Sequence, residues 1–251
     1  VAHIETSTKF MKLDFTAERV LAVVAHPDDV ELLCAGTLAR ARADGAMIGM
    51  CTMCRGNRGV AAGESANERS FGLSETRQAE FTAAAELLGA EVFFGGIGDG
   101  ELEDTPDQRR ILISLYRRFR PTLVLAHCPH DYHADHRAAS KLAEAASWFA
   151  CSAGHVTGES PLEQPPAVWL MDAVEMHDFS PGFYVDVSAH VQLKRDMLAC
   201  HRSQLERAAD SDFTALETLM LRQAQMRGEQ GGVDAAEAFC IHPTWKRVRA
   251  W

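Results

Sequence analysis

The sequence predicts an α/β fold, a doubly wound and mostly parallel sheet with helices on both faces. Three observations carry that expectation. Short apolar runs alternate with longer amphipathic ones along most of the chain, the pattern of strand–helix–strand units with parallel strands. Two of the apolar runs, Val20–Ala25 and Leu123–Ala126, lack polar alternation, as strands covered on both faces do. Both lead into segments rich in histidine and carboxylate, and ligand loops of such sheets lie beyond the carboxyl ends of strands.

Taken in order, residues 1–15 are polar and irregular and read as a flexible tail. Val20–Ala25 is the first strand. Leu32, Leu33, Ala35 and Leu38 recur at helical spacing up to Gly45, which predicts a helix over Val30–Asp44. Met47–Met53 is the second strand. A long polar loop, opening with Arg55-Gly56-Asn57-Arg58-Gly59, runs through Ser74, and loops of that length in compact domains are commonly functional. Glu75–Leu88 is an amphipathic helix with Phe81, Ala84, Leu87 and Leu88 to one side and Gly89 as its C-cap. Val92–Phe94 is the third strand and opens onto Gly95–Gly100. Thr105-Pro106 starts a helix carrying Ile111, Leu112, Leu115 and Phe119, and Pro121 ends it. Leu123–Ala126 is the fourth strand, and Asp135 caps a helix reaching Phe149. Gly154–Pro166 is a turn-rich linker. Ala167–Met171 and Phe183–Val187 are further strands, Leu193–Leu205 and Phe213–Gln225 further helices, and residues 228–251 an irregular C-terminal extension. The expectation is one domain over residues 1–251. In the common Rossmann-like strand order 3-2-1-4-5, strands 1 and 4 are neighbours, and their two polar loops meet.

Composition narrows the partners. A net charge of −10 over 251 residues argues against nucleic acid, whose phosphates call for basic patches, and against a polybasic membrane-surface role. No apolar stretch approaches the ~20 residues of a membrane span, and the start has no signal-peptide layout. Seven scattered cysteines suit a reduced, cytoplasmic protein better than a disulfide framework. The irregular C-terminal stretch suits a homo-oligomer.

The chemistry concentrates in two loops. Ala25-His26-Pro27-Asp28-Asp29 follows the first strand, and His133-Ala134-Asp135-His136 follows the fourth. Imidazole and carboxylate are good ligands for Zn²⁺ and similar ions, and a catalytic site keeps a position open for water. Of two adjacent carboxylates, one can bind metal while the other faces water. The competing structural reading has Asp28 and Asp29 capping a helix. In the second loop, one histidine can bind metal while the other serves substrate, and Asp135 can orient an imidazole as outer carboxylates do.

With these motifs the chain resembles the LmbE-like (PIG-L) family of zinc-dependent N-deacetylases. Ala25–Asp29 matches the family's Ala-His-Pro-Asp-Asp motif and His133–His136 its His-x-Asp-His motif. Weaker likeness extends to Arg77-x-x-Glu80, Asp99-Gly100, Lys194 to Gln204 and Ala236-Glu237-Ala238-Phe239. The resemblance implies that His26, Asp29 and His136 bind Zn²⁺, with Fe²⁺ as another possible ion. It implies Asp28 as general base, protonated His133 as oxyanion stabiliser held by Asp135, and Arg77 and Asp99 as sugar contacts. The implied reaction removes the N-acetyl group from an N-acetylglucosamine-type amino sugar. A thiol- or sugar-conjugate amidase and a non-catalytic metal- and sugar-binding protein are the competing readings. Many relatives carry an acidic residue after the loop glycine where this chain has Gly56-Asn57-Arg58-Gly59.

Other features take structural readings. Cys51-x-x-Cys54 has no second cysteine pair. Gly95–Gly100 does not open a helix directly, unlike a dinucleotide fingerprint. His127 and His130 read as outer or surface groups and His201 as structural. Trp148, Trp169, Trp245 and Trp251 read as packing or interface residues.

Overall fold

The strands of the computed structural model are β1 (Arg19–Val24), β2 (Met47–Cys54), β3 (Glu91–Ile97), β4 (Leu123–Ala126), β5 (Ala167–Met171), β6 (Phe183–Asp186) and β7 (Ala236–Ile241). They form one sheet in the order β3-β2-β1-β4-β5-β7-β6. β1 to β5 are mutually parallel, and β7 runs antiparallel to both of its neighbours. Residues 13–59, 66–209 and 215–244 are described, with side chains left aside over 66–71 and 207–209.

Both faces of the sheet are covered. On β1, Val20, Ala22 and Val24 point into one apolar layer with Leu38, Phe81, Met197 and Met220; Leu21, Val23 and Ala25 point into the other with Leu112, Leu115, Leu142 and Ala146. The first layer receives α1 (Asp29–Leu33), α2 (Ala35–Ala43), α3 (Ala66–Leu88), α6 (Val191–Leu198) and α8 (Leu216–Gly231). The second receives α4 (Pro106–Phe119) and α5 (Ala134–Phe149). A strand that feeds a core on both sides cannot afford polar alternation, which is why β1 and β4 read as unbroken apolar runs. Among the described residues, no helix is long and apolar enough to cross a membrane.

Several elements differ from expectation. The 228–251 stretch is not irregular throughout: Ala236–Ile241 is β7, seated between β5 and β6, while residues 245–251, with Trp245 and Trp251, lie outside the described residues. The expected tail includes Phe15, which is fully buried and packs edge-on against Trp169 at 6.0 Å; residues 1–12 lie outside the description. The helix expected from Glu75 begins at Ala66. The helix expected over Leu193–Leu205 is two, α6 and α7 (Arg202–Ala209), and the later one is Leu216–Gly231; of its expected start, residues 213–214 lie outside the described residues.

The helix expected over Val30–Asp44 also breaks, at Cys34 (φ −149°). The break exposes a fresh helix N-terminus, and β7 supplies what it needs. The Glu237 carboxylate accepts from the backbone N–H of Gly36 at 2.9 Å and of Thr37 at 2.7 Å, and pairs with the ammonium of Lys194. Glycine is required at 36 because a Cβ would lie 2.7 Å from Val187 Cβ. Removing one member of a buried ion pair strands the other charge. Glu237→Gln is therefore expected to lower stability by about 3–5 kcal/mol in urea unfolding. The Lys194→Met/Glu237→Gln double variant should lose less than the two single losses together.

Candidate metal centre

Parallel pairing brings the two loops together. Val23 sits opposite Ala126, so the chain leaves β1 and β4 side by side, and the backbone N–H of Ala25 donates to His127 Nε2 at 3.0 Å across the gap. In the first loop Asp29 Oδ2 accepts from the backbone N–H of His26 at 2.7 Å, which folds the turn back before α1. Asp28 occupies the N-cap position of α1, yet its side chain makes no capping hydrogen bond. Its carboxylate, 7% exposed, instead accepts from Gln204 Nε2 at 3.0 Å.

His26 Nδ1 lies 3.3 Å from His136 Nε2 and 3.5 Å from Asp29 Oδ2, and His136 Nε2 lies 3.3 Å from Asp29 Oδ1. Ligand atoms at 2.0–2.1 Å from a tetrahedral ion are separated by about 3.3 Å. The surrounding carboxylates say which nitrogen carries a proton. His136 Nδ1 faces Asp131 Oδ1 at 3.1 Å, and His26 Nε2 faces Asp135 Oδ2 at 3.1 Å. Each carboxylate favours a proton on the nitrogen it faces, so the opposite nitrogen presents a lone pair. Two imidazole lone pairs and a carboxylate then point at one another from within 3.5 Å, an arrangement that demands a cation. Proton affinities express the same demand. Burial acts to lower His26 and His136, but Asp135 and Asp29 hold His26 well above the usual histidine range, and Asp29 with Asp131 lift His136 to about 9. Burial acts to raise Asp29, yet His136 and His127 hold it well below the usual carboxylate range. The donor set fits a divalent ion, with His26, Asp29 and His136 as the residues that would hold it.

The other expected residues fall as follows. His133 is the N-cap of α5, and its Nδ1 accepts from the backbone N–H of Asp135 at 3.2 Å. That bond fixes a neutral tautomer with the proton on Nε2, and burial together with His26 and His136 lowers its proton affinity. The Asp135 carboxylate, expected to hold His133, is instead occupied by His26 and by the backbone N–H of Gly100 at 2.8 Å, and Asp135 is not the α5 cap. Asp99 accepts from the backbone N–H groups of Gly56 at 2.7 Å and Arg58 at 3.0 Å, so its carboxylate clamps the 55–59 loop. Arg77 is buried and donates to Gly59 O at 3.2 Å and to Gln204 Oε1. Both residues expected at the sugar are thus engaged with protein groups.

Two contributors lacked an assigned role in the sequence, and a third, His127, read there as an outer or surface group. Asp131 orients His136; its signal is a carboxylate in the same loop as a candidate ligand. Gln204 reaches Asp28 from α7. Fully buried His127 stacks on His136 at 4.1 Å between ring centroids, and burial with His136 pushes it down to about 4; His130 is exposed. Cys54 Sγ lies within 4.8 Å of donor atoms of His26 and Asp135. Burial, then the charges of Asp135 and Asp99, push its thiol far up. Cys51, buried, is pushed to about 12. Both cysteines are free.

The sequence profile described as GlcNAc-PI de-N-acetylase (PIG-L) matches residues 21–147. A 4-oxalmesaconate hydratase of Pseudomonas putida is 30% identical over 191 residues, 73% of each chain. A diacetylchitobiose deacetylase of Thermococcus kodakarensis is 26% identical over 237 residues, 89% of this chain and 87% of that one. The solved structure of N,N′-diacetylchitobiose deacetylase from Pyrococcus horikoshii superposes with a TM-score of 0.78 at 25% identity, covering 90% of this chain and 84% of that one.

Two outcomes follow from this arrangement. Asp131→Asn removes the anion that keeps the His136 proton on Nδ1, so affinity for Zn²⁺ is expected to fall about 10- to 100-fold in chelator competition. Below pH about 9 the cation-free His136 carries an extra proton, which a metal taking Nε2 must displace. Metal uptake should release protons, and affinity should rise as pH approaches about 9; calorimetry in buffers of different ionisation enthalpy measures the release.

Proposed function

The chain belongs to the PIG-L (LmbE-like) family, and from that premise we propose that it hydrolyses the N-acetyl amide of an N-acetylglucosamine-type amino sugar or its conjugate, releasing acetate. The supporting observation is that Asp28, beside the three converging donors, spends its carboxylate neither on capping its helix nor on pairing with a cationic side chain. The diacetylchitobiose deacetylase relatives favour this substrate class.

We assign the ion as Zn²⁺, which when bound polarises the amide carbonyl and lowers the pKa of water. Asp28, with Oδ2 held by Gln204, offers Oδ1 to take a proton as water attacks the carbonyl carbon. His133 presents its Nε2–H to the oxygen on which charge develops, a contribution of about 3 kcal/mol for one donor. A neutral imidazole suffices for this, since it donates without changing protonation state. As the C–N bond breaks, the proton held by Asp28 passes to the leaving nitrogen, giving acetate and a free amine. Asp135 and Asp131 act behind the donors, keeping His26 and His136 in the tautomers described above.

The hydratase relative supports a second reading, addition of water across a carbon–carbon double bond of an unsaturated carboxylate. The same base and cation would serve it, and Arg55 and Arg58 add positive charge to the rim loop.

A panel separates the two: acetate release from N-acetylglucosamine, N,N′-diacetylchitobiose and inositol-linked N-acetylglucosamine, against loss of conjugated absorbance from 4-oxalmesaconate. Chelator-sensitive acetate release is the expected result, and hydration without acetate release would overturn it. Asp28→Ala is expected to retain metal and lose about 10²- to 10⁴-fold in kcat. His133→Ala should retain metal and lose about 10²- to 10³-fold.

A further inference from the structure

We propose that Gln204 and Arg77 are positioning residues for Asp28, joined as a relay in which Arg77 orients the Gln204 amide and the amide orients the carboxylate. The proposal rests on the reading of Asp28 as proton acceptor. Gln204 Nε2 donates to Asp28 Oδ2 at 3.0 Å, and Gln204 Oε1 accepts from Arg77 Nη2. The direction of the amide is dictated by its neighbours. A guanidinium only donates and a carboxylate only accepts, so the oxygen must face Arg77 and the nitrogen Asp28. Of glutamine and glutamate, which share this shape, only glutamine serves both sides. Asp28 is thereby held through Oδ2, which leaves Oδ1 to take the proton in the proposed reaction.

Arg77 reaches Gln204 from inside the protein. It is 3% exposed and runs beneath the 55–59 loop, where a Cβ on Gly56 (φ +70°) would fall 2.4 Å from Arg77 Cδ. Its guanidinium also donates to Gly59 O at 3.2 Å. The backbone that carries Gln204 is pinned as well. One turn further along α3, Glu80 accepts from the backbone N–H of Ser203 at 2.8 Å and from its hydroxyl at 2.7 Å. The Arg77-x-x-Glu80 and Ser203-Gln204 segments thus close on each other as a two-point clip, and its product is the orientation of one carboxylate.

The contact is read without turnover from the Gln204 side-chain amide signal in NMR, assigned by its loss in Gln204→Ala. Asp28→Asn and Arg77→Met should each shift it; a signal unmoved by both refutes the relay. The role is read on N,N′-diacetylchitobiose with the zinc-loaded protein. Gln204→Ala is expected to lower kcat about 10- to 100-fold, the scale of a misplaced catalytic group, with KM changed less than about threefold and bound zinc equal to wild type. Gln204→Glu keeps the shape and the Arg77 partner, so a folded protein with a similar kcat loss separates lost donation from lost packing. Adding Arg77→Met to Gln204→Ala should lower kcat no further, because Arg77 reaches Asp28 through the amide, while loss of its Gly59 contact is read in KM. Wild-type kcat in Gln204→Ala, multiplying effects, or an Arg77→Met that raises only KM would overturn the proposal, the last restoring Arg77 to the sugar. Normal turnover by Asp28→Asn would instead sink the base assignment, while the amide signal still reports on the contact.

Discussion

The structure depends on the burial of Asp29, 3% exposed at the start of α1. A carboxylate in that position is costly unless positive charge or donors meet it. The backbone N–H of His26 supplies one donor, and the imidazoles of His136 and His26 stand 3.3 and 3.5 Å away. Yet the imidazoles do not settle the account, because Asp131 and Asp135 face the outer nitrogens of His136 and His26 and bring further negative charge. Protons or a divalent cation must complete the set. The elevated proton affinities of His26 and His136 and the depressed one of Asp29 are one electrostatic deficit seen from three sides. His127, pressed between β1 and β4 and neutral, adds bulk without adding charge.

Behind this centre lies a set of polar struts that tie distant segments to the turn. His201 faces Glu31 at 3.3 Å, both fully buried; burial works against the charged imidazole, and Glu31 overrides it. Lys194 pairs with Glu237, which caps α2. Arg77 meets Gln204, and Glu80 meets Ser203. Each strut joins α6, the link after it or the start of α7 to another element: α1, α3 or β7. Such groups left unpaired in the interior would cost far more than they contribute when paired. The polar residues are thus mutually obligate. A change in one strands its partner, and the damage reaches the short α1 helix that carries Asp29.

This pairing explains which parts were legible in the sequence. The two loops of the candidate metal centre could be read because each motif is contiguous and follows an unbroken apolar strand, and the common strand order makes β1 and β4 neighbours. The family resemblance also marked Arg77, Glu80, Lys194, Gln204 and Glu237, but nothing local says that Arg77 answers Gln204 or that Lys194 answers Glu237. The same blindness hid β7. Ala236-Glu237-Ala238 carries a charge where a buried strand should carry none, and the charge makes sense only beside Lys194 and the α2 N-terminus. The break at Cys34 followed suit, since a helix can restart there only because Glu237 waits to cap it. The Asp135 error had a related cause. A carboxylate near a helix start reads as a cap, whereas here a histidine caps and the carboxylate turns outward to His26.

The division of labour between the centre and its rim bears on how one scaffold accommodates deacetylase and hydratase relatives. On the proposed mechanism, Asp28 as proton acceptor, the His133 Nε2–H and the donor set of His26, Asp29 and His136 would serve either addition of water, and all of them sit at the exits of β1 and β4. The rim is held separately. Asp99 clamps Gly56 and Arg58 from the β3 exit, and Arg77 supports Gly59 from beneath. Arg58 also pairs with Glu101 on the surface. Arg77 touches both layers, with one contact to the loop and another to Gln204, and Asp135 does the same through Gly100 and His26. Within the loop, Arg55 Nε donates to Gly96 O at 2.6 Å and Asn57 Oδ1 accepts from the backbone N–H of Asp99 at 3.1 Å, so these side chains brace the rim as well, and residue 77 is constrained by its contacts on both sides.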